Sequence, residues 1–125
     1  MRAKVAYVKI KLSINDKVAL GKAKELVEES FEEMPSLQQL CRKTGLNVDK
    51  LKKGFKLLFG KPPYAYHCQL KMEQAKKLLL ETDQTIYEIA WSLGYQHSSN
   101  FCIEFKRFWG CRPGEVRSLK LRFEV

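Results

Sequence analysis

No apolar run in this 125-residue sequence approaches the roughly 18 residues that a membrane-spanning helix needs. The N-terminal stretch through Lys4, Val5, Ala6 and Tyr7 lacks the apolar core of a signal peptide. Both absences point to a soluble, cytoplasmic protein. Only two histidines are present, far apart, and there is no glycine-rich phosphate loop or nucleophile elbow. An enzyme is therefore not expected. Tyr64, Tyr66 and His67 lie together, but tyrosines at helical spacing usually pack. The four cysteines, Cys41, Cys68, Cys102 and Cys111, form no C-x-x-C pair and match no zinc spacing. Each sits among apolar or helix-patterned neighbours and is expected to be a reduced thiol. Neither a metal nor a cofactor is implied.

Positive charge, by contrast, is abundant. Lysine and arginine total 23 against 14 acidic residues, a formal charge of +9. Such a surplus favours an anionic partner, and nucleic acid is the commonest one for a soluble basic domain. Charge alone also fits an all-α protein-interaction module whose basic faces bind acidic partners. The apolar share of 45% suffices for a core. The length suits one compact domain or two small subdomains.

Residues 1–15 stand apart. Ala6, Val8, Ile10 and Leu12 alternate with Tyr7, Lys9 and Lys11, as in a short strand or extended arm, though a disordered tail fits equally. From Asp16 the period is helical, with Val18, Ala19, Ala23, Leu26, Val27 and Phe31 assigned to one face. Ser36 and Gln39 form a capping box for a short helix carrying Leu37, Leu40 and Cys41 inward and ending at Gly45. Asn47 suits the N-cap of the next helix, whose inward residues are Leu51, Phe55, Leu58 and Phe59 before Gly60. A long helix over 64–82 follows Pro62 and Pro63. A second capping box at Thr85 and Glu88 opens a helix with Ile86, Ile89, Ala90 and Leu93. Another helix runs from about His97 to Phe108, with Phe101 and Phe105 inward, and Pro113 opens a last short one. The expected fold is all-α, about seven helices, with homeodomain-like subdomains over 16–62 and 83–125 joined by a linker helix over 63–82.

An internal repeat carries most of the functional information. Ser36, Leu37, Leu40, Cys41 and Gly45 match Thr85, Ile86, Ile89, Ala90 and Gly94, a constant 49 positions later. Leu51, Phe55, Phe59, Gly60 and Pro63 match Phe101, Phe105, Trp109, Gly110 and Pro113, 50 positions later. The added residue falls between Gly94 and Phe101, where it alters the turn and spares the core. A small residue four positions before a turn glycine permits a close helix crossing, as a helix-turn-helix requires.

In such a unit the second helix enters the major groove and presents its N-terminal outward residues to base edges. In the first unit these are Asn47, Asp49, Lys50, Lys52, Lys53 and Lys56. Lys52 and Lys53 are favoured for base contact and Lys56 for the backbone. Asp49 either accepts from cytosine N4 or, the favoured role, sits as a negative charge at the helix start. The second unit presents Gln96, His97, Ser98, Ser99, Cys102, Ile103 and Lys106, a polar face of low charge. Ile103 suits a thymine methyl if it points outward; a core position is the other reading. This second face is expected to rely on phosphate contact and shape more than on base readout.

The stretch from Pro35 to Arg117 resembles the C-terminal DNA-binding domain of AraC/XylS transcription regulators. The resemblance rests on Ile86-Tyr87-Glu88-Ile89-Ala90-Trp91-Ser92-Leu93-Gly94-Tyr95, Ser99-Asn100-Phe101, Phe105-Lys106 and Phe108-Trp109-Gly110-Cys111-Arg112-Pro113. The run Leu46-Asn47, Lys50-Leu51-Lys52, Gly54-Phe55-Lys56 and Phe59-Gly60 looks most like the branch regulating siderophore uptake. The resemblance implies a promoter-binding factor, usually an activator that contacts RNA polymerase. It also implies a separate sensory or dimerisation domain before this one, missing from this chain. His67 and Ile103 depart from the family pattern, which usually has an aliphatic and a basic residue there. His67 is read as packed, not as a metal ligand, and Ile103 weakens the case for direct readout by the second unit.

Overall fold

The computed structural model describes residues 11–123, which are all-helical apart from turns and connections, with no strand among them. The seven helices are α1 (Ile14–Glu28), α2 (Leu37–Thr44), α3 (Val48–Phe59), α4 (Pro63–Glu81), α5 (Ile86–Ser92), α6 (Ser98–Trp109) and α7 (Pro113–Phe123). The alternating segment Ala6, Val8 and Ile10 lies outside the described residues. Two compact units divide the chain, the first ending at His67 and the second starting at Cys68, with Phe31–Glu33 belonging to the second.

In the first unit α1 starts at Ile14, two residues before the helical reading of the sequence. Ser13 is its N-cap, and Ser13 and Asp16 exchange backbone-to-side-chain hydrogen bonds of 3.0 Å in a capping box. Its buried stripe is Leu20, Ala23 and Val27. Val18, assigned inward from the sequence, is 69% exposed, because two residues from Leu20 is about 200° around a helix. Leu40 of α2, Leu46 of the turn, and Leu51 and Phe55 of α3 complete this core, with Leu12, Leu37, Cys41, Phe59 and Tyr66 packed partly buried around it. Phe55 meets Phe59 and Tyr66 edge-on, with centroids 4.7 and 5.6 Å apart. That packing carries the inner face of α3 through Phe59 and leaves Leu58, also expected inside, exposed.

Met72, Ala75 and Leu79 of α4 form the second core with Ile89, Ala90, Leu93, Phe101, Phe105 and Val116. Phe31, read from the sequence as part of the α1 face, lies beyond the end of that helix and packs here. The Trp109 indole N–H donates to the Met72 carbonyl at 3.0 Å, and Arg117 Nε donates to the Leu79 carbonyl at 2.9 Å. The second of these satisfies an acceptor in the last turn of α4, where helical partners run out.

The repeat is longer than the sequence comparison found. Leu20, Ala23 and Val27 of α1 correspond to Met72, Ala75 and Leu79 of α4, all fully buried and all 52 positions apart. The connection after α1 is thus three residues longer than that after α4, and Phe31–Glu33 is a three-residue excursion into the other unit. Each unit is three helices ending in a helix-turn-helix, closed by the start of a fourth at the buried prolines Pro63 and Pro113.

Candidate nucleic-acid interface

Both helix-turn-helix units are held by the same local devices. Ser36 and Thr85 each cap their helix reciprocally with Gln39 and Glu88. The turn glycines Gly45 and Gly94 have φ of 80° and 95°, conformations that side chains with a Cβ disfavour. One residue separates Gly45 from the α3 N-cap Asn47, whereas Tyr95 and Gln96 separate Gly94 from the α6 N-cap His97. The extra residue of the repeat is therefore in the turn alone. There the Tyr95 hydroxyl donates to the Glu104 carboxylate of α6, and Lys71 lies 4.3 Å from the Tyr95 ring centroid. The longer turn is tied down through both the hydroxyl and the ring of Tyr95.

On α3, Asp49, Lys52, Lys53 and Lys56 are all exposed at i, i+3, i+4 and i+7, a single outward stripe. Asp49 and Lys53 form an ion pair of 3.2 Å along it. The Asn47 carboxamide oxygen accepts from the Lys50 backbone N–H at 2.7 Å, so its oxygen serves the helix start. Lys50, expected on this face, is drawn aside: its ammonium lies 2.9 Å from the Asp16 carboxylate of α1. That ammonium and the Ser13 backbone N–H hold the Asp16 carboxyl below the ordinary carboxylate value. Asp16 itself escaped sequence reading, because nothing local links it to a lysine 34 positions on.

On α6 the exposed stripe is Ser99, Ile103, Lys106 and Arg107. Ile103, left between two readings by the sequence, is 57% exposed and points away from the core. Gln96 and His97 are exposed, Ser98 is half-buried, and Cys102 is half-buried against the core of its unit. Cys102 is thus the residue of this set turned most nearly inward. Arg107 was not singled out from the sequence, although eight residues after Ser99 returns to the same helical face. His97 makes no capping bond with its side chain. Among the described residues no group of three or more histidine, cysteine or acidic side chains could hold a metal. No described helix is long and apolar enough to cross a membrane.

A helix-turn-helix with a polar, cation-bearing outer stripe on its second helix, built twice, defines a DNA-binding domain of transcription regulators. The helix-turn-helix domain family matches residues 40–118. The C-terminal domain of the two-component response regulator yesN from Fusobacterium nucleatum is 33% identical, with a TM-score of 0.67 over 82% of this chain and 98% of that one. The transcriptional activator RhaS of Escherichia fergusonii is 30% identical over 91 residues, 73% of this chain and 33% of that protein. The DNA-binding domain of AdpA, a global transcriptional factor solved with a target DNA, is 20% identical and shares the fold at a TM-score of 0.70 over 90% of this chain and 98% of its own. The chain belongs to the AraC-type helix-turn-helix DNA-binding domains. It spans about a third or less of the length of curated relatives it matches.

Proposed function

We propose that this chain binds promoter DNA sequence-specifically and activates transcription, with α3 and α6 seated in successive major-groove segments. The observation that carries this reading is the paired outer stripes, Asp49-Lys52-Lys53-Lys56 and Ser99-Ile103-Lys106-Arg107, on the second helices of two like units. Lys52 and Lys53 read bases, Lys56 holds phosphate, and Asp49 supports the start of α3 and steadies Lys53. Asn47 contributes chiefly as the cap of α3, with its amide N–H group left for the groove. Gln96, His97, Ser98 and Ser99 meet phosphate at the start of α6, Ile103 packs on a thymine methyl, and Lys106 adds charge; Cys102 lies at the edge of the contact.

Successive major-groove faces lie roughly 34 Å apart, so a chain that engages both reads an asymmetric site of two adjacent segments. The names of RhaS and of the virulence activator VirF of Yersinia enterocolitica support the activator reading, with RNA polymerase as the protein partner. On this reading the chain acts on DNA in the cytoplasm. The run from Leu46 to Gly60 supports a place in the siderophore-uptake branch, which binding to promoters of such genes would test. Footprinting on a duplex selected from a random library tests the central reading. Protection of two adjacent major-groove segments, with affinity falling steeply with salt, is expected. Binding of acidic proteins with no sequence-selective DNA binding would replace it with a protein-interaction role.

A further inference from the structure

The lysine on α3 nearest the start of the helix is not on the outer stripe. Lys50 carries its ammonium to Asp16, 2.9 Å away, and the side chains of the two are 40% and 13% exposed. Asp16 is itself fixed, since its carboxylate also accepts from the Ser13 backbone N–H in the capping box that starts α1. The anchor of the pair is thus a helix start and not a freely rotating side chain. Lys50 gives up rotamer freedom to meet it. Lys53 makes a contrasting pair, with Asp49 one turn earlier on its own helix and both side chains about two-thirds exposed. Such a pair on an open face is easily exchanged for a phosphate.

We infer that Asp16 is a positioning residue for DNA recognition, an internal counter-charge that withholds Lys50 from the DNA and leaves readout to Lys52 and Lys53. The inference rests on α3 being the recognition helix of the first unit. Without Asp16, an extended lysine in the first turn of α3 would reach a phosphate or a guanine edge beside the intended contacts. Affinity would rise and discrimination between sites would fall. Asp16 holds charge back where uniform phosphate binding would blur base readout.

The test is a double-mutant cycle in the full chain, comparing wild type with Asp16→Asn, Lys50→Gln and the double variant. The probes are a duplex selected by the wild type and a scrambled duplex, titrated at several salt concentrations. Asparagine can still accept from Ser13 at the helix start, and Asp16→Glu keeps the charge as a second control. Lys50→Gln alone is expected to leave affinity and salt dependence nearly unchanged. Asp16→Asn is expected to steepen the salt dependence by about 0.9 in log–log slope, so its advantage shrinks about 3.5-fold between about 50 and 200 mM salt. The gain should be larger on the scrambled duplex and should vanish in the double variant. A gain that persists in the Lys50→Gln background would show that Asp16 acts only through its own charge and would overturn the inference. Loss of affinity in Lys50→Gln, comparable to that in Lys52→Gln, would overturn it too. Wild-type protein that prefers no duplex would instead remove the recognition-helix reading itself, and this inference with it.

Discussion

The Nε2–H of His67 donates to the carbonyl oxygen of Ser30 across 2.7 Å, tying the first turns of α4 to the connection just after α1. A carbonyl only accepts, so the proton sits on Nε2. Fifty positions later Arg117 makes a comparable fastening in the second unit, donating to Leu79 near the end of α4. His67 and Arg117, each the fifth residue of its helix, thus both donate to a backbone carbonyl of the preceding segment. His67 is 3% exposed and accounted for by packing and hydrogen bonding. Its departure from the aliphatic residue of the family pattern is a change of fastening.

His67→Ala removes that donor and a buried ring together. Loss of the hydrogen bond alone is expected to cost about 1–3 kcal/mol, with a cavity term added. Urea unfolding followed by circular dichroism should show a lower midpoint. His67→Gln, which keeps an N–H donor, should recover part of the loss. Equal stability of His67→Ala and wild type would show that the contact contributes nothing.

The two turn glycines separate conformational strain from crowding. Gly45 has a positive φ, but a Cβ there would meet nothing within 4 Å. Gly45→Ala is therefore expected to cost only the left-handed conformation, about 1–2 kcal/mol. At Gly94 the Cβ would fall 2.5 Å from the Glu32 carbonyl oxygen and 2.9 Å from its Cα, both backbone atoms. Backbone cannot swing aside as a side chain can, so Gly94→Ala must displace the Phe31–Glu33 excursion from its unit. Its thermal midpoint should fall well below that of Gly45→Ala, and equal losses would contradict the crowding.

Much of this was legible in the sequence where the signal is local. The boxes at Ser36 and Thr85, the glycine stops and the apolar period locate α2, α3, α5 and α6 without tertiary knowledge. Where partners are distant, the sequence misled or was silent. The start of α1 was missed because Asp16 fills the place more often taken by glutamate or glutamine. The kinship of α1 and α4 was hidden by the three residues Phe31–Glu33, which shift the repeat from 49 to 52 positions and belong to the other unit. Lys50 looked outward on its own helix, and only the packing of α1 on α3 brings Asp16 beside it. Gly54, buried in α3 where a Cβ would lie 2.7 Å from Leu20 Cδ1, marks that close approach.

Acid should loosen the first unit through Glu28. The Lys24 ammonium, 2.8 Å away, and then the Tyr66 hydroxyl hold the Glu28 carboxyl below its ordinary value of 4.5. A depressed carboxyl pKa contributes stability that is present above the unfolded value and lost as pH falls through the folded one. The thermal midpoint should therefore drop as pH is lowered below about 4.5, the ordinary carboxyl range. Asp16, depressed by Lys50 and Ser13, adds to the same slope. Glu28→Gln should flatten the acid limb in part, leaving the Asp16 contribution. An unchanged acid limb in Glu28→Gln would remove Glu28 from the account.

The unequal stripes of α3 and α6 predict unequal contributions to specificity. Lys52 and Lys53 are exposed with donors that can reach guanine O6 and N7, whereas the serines at the start of α6 are short and one is half-buried. Lys52→Ala and Lys53→Ala should therefore relax preference at particular base pairs, by about 1–3 kcal/mol of discrimination each if the contact is to a base. Ser98→Ala and Ser99→Ala should cost less and act evenly across sites, as loss of a phosphate contact does. Affinities on a panel of single-base-pair variants of the selected duplex, all at one salt concentration, separate the two patterns. The asymmetry of the stripes matters because the first half-site would then tolerate fewer substitutions than the second. If Lys52→Ala and Lys53→Ala weakened every variant equally, those lysines would be phosphate contacts, and specificity would have to come from DNA shape or from α6.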